Sequence, residues 1–211
     1  MKFPALFAAS LLVSVFASAP VRGQTVALSL APAALGANYV GHSEFTRGFS
    51  FTTTGELAIT GLGWYDAGQD GLASSHRVGI WSTGGTLLVD GVVSGADPLS
   101  GYFRYTSSLT GSSTLAAGSY FIGGLSTNAD ATVRLLPASA VTFAPAITWG
   151  SSTNNGTVGV FSIPSAVDAA TSIGYFGPNF SFAAIPEPST AALLGGMLCL
   201  AVVAMRKMRR R

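Results

Sequence analysis

The chain has 211 residues, only 9% of them charged, with 26 glycines and a formal net charge of +2. Seven of the eleven basic residues lie at Lys2, Arg22 and in the last six positions, so residues 24–183 carry four arginines against eight acids and are net acidic, which removes the electrostatic case for nucleic-acid binding. The single cysteine, Cys199, sits in an apolar C-terminal run, which excludes a disulfide or a thiolate metal site elsewhere in the chain.

A charge-poor composition rich in Gly, Ser and Thr argues against a helical protein and for short strands joined by tight turns. The first segment, residues 1–23, reads as a signal peptide. Met1-Lys2 is a short positive region, and Ala5 to Phe16 is an apolar stretch of the expected length. Cleavage after Gly23 starts the mature chain at Gln24; the alternative, after Ala19, would place Pro20 first. Either implies the Sec translocon and signal peptidase as partners.

Residues 24–183 then read as one domain with about ten strands. Thr25 to Leu30 alternates, and Phe49, Phe51 and the Thr52-Thr53-Thr54 run suggest a second strand ending at Gly55. In Glu56 to Asp66, Leu57 and Ile59 share one face while Leu62 and Trp64 have the opposite parity, so a bulge at Gly61 restores a single apolar face. Asp66 to Leu72 is a Gly- and Asp-rich loop. His76 to Ser82 and Thr86 to Val93 form a hairpin around Thr83-Gly84-Gly85, with Val78 and Ile80 on one face and Trp81 opposite. Tyr102 to Tyr105, Ser119 to Gly124, Val133 to Leu136, Val141 to Thr148 and Val158 to Ile163 complete the series. Asn179 to Ala184 reads as the start of a linker. The even cadence without helical periodicity predicts an all-β, antiparallel β-sandwich of jelly-roll type.

The run Ile59 to Asp66, with Asp70-Gly71-Leu72, Ser75 to Trp81, Gly85 to Leu88 and Leu115 to Ile122, resembles DUF4082-like domains of bacterial surface proteins. That resemblance covers about 70 to 90 residues. It implies a sandwich akin to carbohydrate-binding modules and carries no established activity.

The last segment, residues 184–211, has three parts: Pro186-Glu187-Pro188-Ser189-Thr190, an apolar run from Ala191 to Ala204, and the basic end Arg206, Lys207, Arg209, Arg210 and Arg211. Two prolines hold the Glu187 segment extended. The apolar run satisfies its backbone in lipid only as a helix. Thr190 to Met205 would span roughly 24 Å as a helix, short for a hydrocarbon core of about 30 Å. The arginines should stop transfer and stay cytoplasmic. This order resembles the PEP-CTERM sorting signal. The resemblance implies recognition by a membrane transpeptidase, exosortase, transient residence in the inner membrane, and delivery to the cell surface, outer membrane or extracellular matrix.

Several residues are candidates for chemistry. His42 and His76 are the only histidines, and no Gly-x-Ser-x-Gly elbow is present, so a hydrolase would need one of them beside a carboxylate in a pocket. His42 and Glu44 share a strand face as two metal ligands would, or form a surface polar pair. Asp66 and Asp70 offer carboxylates to Ca²⁺, or make an Asx-type turn. Trp64, Tyr65, Trp81, Tyr102 and Tyr105 are the aromatics that could stack on sugar rings. Parity puts Trp64 in the core and leaves Trp81, with Tyr102, as the candidate carbohydrate contact, Trp81 being an exposed platform or else a filler of the sheet's other side or a strand edge. Asn155-Gly156-Thr157 and Asn179-Phe180-Ser181 match the glycosylation pattern and read as chance. The expectation is a non-catalytic structural or interaction component associated with exopolysaccharide, with a lectin-like module as the alternative and a hydrolase after it.

Overall fold

The computed structural model describes residues 24–31, 38–39, 44–135, 141–168, 174–185 and 208. The segment read as a signal peptide, His42, and the Pro186, Glu187, Pro188 and arginine-rich parts of the tail lie outside the described residues. In chain order the strands are β1 (Thr25–Val26), β2 (Leu28–Leu30), β3 (Asn38–Tyr39), β4 (Thr46–Thr53) and β5 (Leu57–Tyr65). Next come β6 (His76–Ser82), β7 (Leu87–Val93), β8 (Leu99–Ser100), β9 (Phe103–Thr106), β10 (Thr110–Gly111) and β11 (Thr114–Leu115). The remainder is β12 (Gly118–Leu125), β13 (Thr132–Leu135), β14 (Val141–Phe143), β15 (Ile147–Asn154), β16 (Ala166–Val167), β17 (Gly174–Phe176) and β18 (Pro178–Ala184). Every pairing among the described residues is antiparallel.

Two sheets carry the fold. One has the order β1-β18-β5-β9-β8, with β11 also on β5; the other runs β10-β7-β6-β12-β4-β15-β16. They face each other through large side chains, as in a β-sandwich. Phe51 of β4 lies 5.0 Å from Phe180 of β18. Trp64 of β5 fills the space that Gly124 leaves on β12, where a Cβ would stand 2.3 Å from the indole. The small sheets β17-β13-β3 and β14-β2 add to the core, with Phe143 and Phe176 packing edge-on against Phe49.

The bulge expected at Gly61 is present. Gly61 pairs with Ser181 but Ile59 pairs with Phe182, so Thr60 is the extra residue, and Leu57, Ile59, Leu62 and Trp64 are all buried. The hairpin is also where the alternation places it. Gly85 takes φ +88°, which a side chain would resist, and its N–H reaches the Ser82 carbonyl at 3.0 Å.

Four expectations change. Thr25 to Leu30 divides into β1 and β2, which pair with different strands. Val141 to Thr148 likewise divides between β14 and β15. Val158 to Ile163 is no strand but a strap held by side chains and by the Gly159 N–H, which donates to the Glu44 carbonyl at 2.7 Å. The Thr46 hydroxyl donates to the Val160 carbonyl at 2.8 Å, and Asn155 donates to the same carbonyl at 2.7 Å. Asn179 to Ala184 is no linker but most of β18, an inner strand between β1 and β5.

The Asn179 side chain explains how the chain departs from β18 at Leu28. Its amide accepts from Leu28 N–H at 3.3 Å and donates to Leu28 C=O at 2.9 Å and to the Tyr105 hydroxyl oxygen at 2.7 Å. It thus meets the needs of a backbone that has left the ladder. Asn179 is fully buried, so the folded protein does not present it for glycosylation.

Candidate functional site

Trp81 and Tyr102 are not brought together. Trp81 points to the outer face of the seven-stranded sheet, as its parity requires, but it is only 3% exposed. The strap covers it: the Phe161 ring lies 4.9 Å away, and the Arg77 guanidinium sits 4.3 Å over Phe161 while also pairing with Asp90 at 2.7 Å. The expected exposed platform is therefore closed. Tyr102 belongs to the turn between β8 and β9 on the other sheet, half-buried beside Tyr65.

Asp66 and Asp70 stand in different settings. Asp66 is buried at the end of β5, where its Oδ2 accepts from Gly71 N–H at 3.0 Å and from Arg104 Nε at 2.7 Å. Arg104 also donates to the Asp97 carbonyl, tying the loop to the neighbouring turn. A guanidinium already balances this carboxylate, and Asp70 is exposed. Among the described residues no three His, Cys, Asp or Glu side chains cluster as a metal site requires. The Asp66 side chain instead closes the loop onto Gly71, five residues on. Glu44 is exposed.

The residue that sequence reasoning missed is Asp130. His76 is fully buried and stacks on Trp64, with ring centroids 4.1 Å apart and planes 6° from parallel. Its Nε2 meets Asp130 Oδ2 at 3.0 Å and its Nδ1 meets the Leu125 carbonyl at 3.0 Å. Asp130 also accepts from the N–H groups of Ala73 and Ser74 and from the Ser74 hydroxyl, each at 2.8 Å. A serine, a histidine and an aspartate thus meet in one place, but in the wrong order for acyl transfer. The serine donates to the carboxylate, and neither histidine nitrogen is open to take its proton. Burial raises the pKa of Asp130, and the hydrogen bonds from Ala73, Ser74 and His76 outweigh it, holding the carboxyl below its ordinary range.

Among the described residues two concavities stand out. A cleft of about 510 Å³ lies between the 66–73 loop and residues 129–131; the carboxylates of Asp66 and Asp130 that line it already have protein donors. A groove of about 390 Å³ crosses the outer face of the six-stranded sheet between Gln24 and Ser107. Its floor is low because Gly61 and Gly63 lack side chains: a Cβ on Gly63 would stand 2.6 Å from the Tyr105 ring, which lies across it. Burial pushes the Tyr105 hydroxyl pKa well up, so this ring stays neutral.

No family model, curated protein or solved structure matches the chain.

Proposed function

We propose that this is an exported, non-catalytic surface or matrix protein, a sandwich carried to the cell exterior and sorted there through its C-terminal segment by an exosortase-like transpeptidase. The observation that carries the reading is the order Pro186-Glu187-Pro188, apolar run, Arg206 to Arg211. The body is suited to such handling. Ile185 N–H still bonds to the Glu56 carbonyl at 3.1 Å, so the ordered domain runs up to the residue before Pro186. Cleavage near the motif would remove the membrane segment and leave the sheet whole. The engagement of both His76 nitrogens supports a role without hydrolysis, and the low charge of the body suits contact with an extracellular polysaccharide.

Glu187→Ala, or Pro186→Ala with Pro188→Ala, should leave full-length protein in the inner-membrane fraction. Normal shortening and release of these variants in a fractionation immunoblot would refute the sorting role. A carbohydrate-binding role is the second reading, favoured by the outer-face groove.

A further inference from the structure

We propose that the groove across the six-stranded sheet binds an uncharged glycan segment. This rests on the reading of the protein as an interaction component of a polysaccharide matrix and gives that reading a site and a ligand class. It moves the binding face away from Trp81.

Three observations carry it. First, the groove runs across the strands. Gln24 stands at the β1 side, Thr60 and Gly61 form the floor on β5, Tyr105 and Ser107 follow at β9, and Ser100 stands at the β8 side. Its volume falls in the range of ligand-sized sites, about 300–1,000 Å³. Second, no charged residue lines it among the described residues. A charged ligand entering would shed water without gaining a counter-charge, whereas a polyol exchanges hydrogen bonds with water for hydrogen bonds with hydroxyls and amides.

Third, the polar groups are held in place. Gln24 Nε2 donates to Ser181 Oγ at 2.6 Å, and the Thr60 hydroxyl donates to the same oxygen at 3.1 Å. Their shared acceptor fixes both side chains and leaves the Gln24 carbonyl oxygen and the Thr60 lone pairs as acceptors for sugar hydroxyls. The rim hydroxyls of Ser100 and Ser107 are exposed. Tyr105 is pinned by Asn179 through its hydroxyl and is 8% exposed, so it supplies a rigid apolar edge for a sugar's C–H face rather than a broad platform. A preordered site loses little side-chain entropy on binding.

The test is affinity electrophoresis of the full-length protein in detergent micelles. The gels would contain a β-1,4-glucan, a β-1,3-glucan, a galactomannan or an α-1,6-dextran, with polygalacturonate as the charged counterpart. At least one neutral polymer should retard the protein. Ser107→Trp and Ser100→Trp, which fill the groove from exposed rim positions, should weaken that retardation at least tenfold. Val92→Trp, on the other sheet, should leave it unchanged. The retarding polymer should also protect Tyr105 of the wild-type chain from hydroxyl-radical oxidation, a readout that needs no variant. Retardation by none of the four, preference for polygalacturonate, or equal binding by the rim variants with Tyr105 unprotected would overturn the proposal. Those failures leave the Glu187→Ala fractionation result untouched, so loss of the groove and loss of the sorting role are told apart.

Discussion

Asp130 shows how one side chain can join segments that the sequence keeps apart. Its carboxylate gathers donors from Ala73, Ser74 and His76, the last 54 positions away. A carboxyl whose folded-state pKa is depressed contributes stability that is fully present above its unfolded value and lost as pH falls through the folded one. The ordinary value is 3.8, so the contribution holds at neutral pH and fades below that point. Asp130→Asn leaves at least one of these donors facing an amide that cannot accept from it, and should cost about 3 kcal/mol at pH 7. The difference in melting temperature between wild type and Asp130→Asn should shrink as pH drops from about 4 to about 2, because the wild type loses the term the variant already lacks. A gap that stays constant through that range would mean the carboxylate is not what binds these loops. Half of this cluster was legible. His76 has the parity of Val78 and Ile80, which puts it on the inner face. Asp130 carried no local signal, since nothing in its neighbours reports a partner so far away. The reading of Trp81 had the same limit: alternation gave its direction correctly, but its cover, Phe161, comes from a strap 80 positions downstream.

Strand β18 is the element whose role differs most from its sequence pattern. Pro178 at its start, Pro186 just beyond it and the nearby tail all resemble linker chemistry. The alternation of Phe180 and Phe182 is too short to outweigh them. What makes it a strand is non-local: β5 on one side, and on the other β1, whose preceding residue Gln24 reaches Ser181 across 157 positions. Elements whose period and turn lie within one stretch, such as the β6–β7 hairpin and the Gly61 bulge, were readable because every determinant is local. The energetic consequence follows from burial. Phe180 is fully buried and meets Phe51 across the sandwich and Phe182 along its own strand. Phe180→Ala should destabilise the protein by about 3–5 kcal/mol in a urea titration, by lost transfer energy and the cavity left behind. A cost below about 1 kcal/mol, the level of an ordinary surface change, would return this segment to the linker it resembles.

At the scale of the whole molecule, the antiparallel pairing of β1 with β18 sets where the ends of the body lie. Thr25 sits opposite Phe182, so the chain enters and leaves the sheet at the same end, one inter-strand spacing of about 4.8 Å apart. The two segments proposed to meet the membrane would therefore connect at one end of the sandwich, which can close while either remains attached. The same pairing makes the first and last strands interdependent, so the six-stranded sheet completes only once β18 has emerged, immediately ahead of Pro186. Contacts of such long sequence separation are slow to form, because loop closure precedes the contacts that reward it. If end placement is as described, joining residue 185 to residue 24 through about five flexible residues and opening the chain at the exposed Gly84–Gly85 turn should preserve the fold. This circular permutant lacks residues 1–23 and 186–211. It should show the wild-type β-sheet circular dichroism and a cooperative melt within roughly 10 °C of the body, the shift expected from about 1–2 kcal/mol of new loop cost. An unfolded or non-cooperative product would mean that β1 and β18 do not share a sheet end, and the proposal that the domain closes while attached at both ends would fall with it.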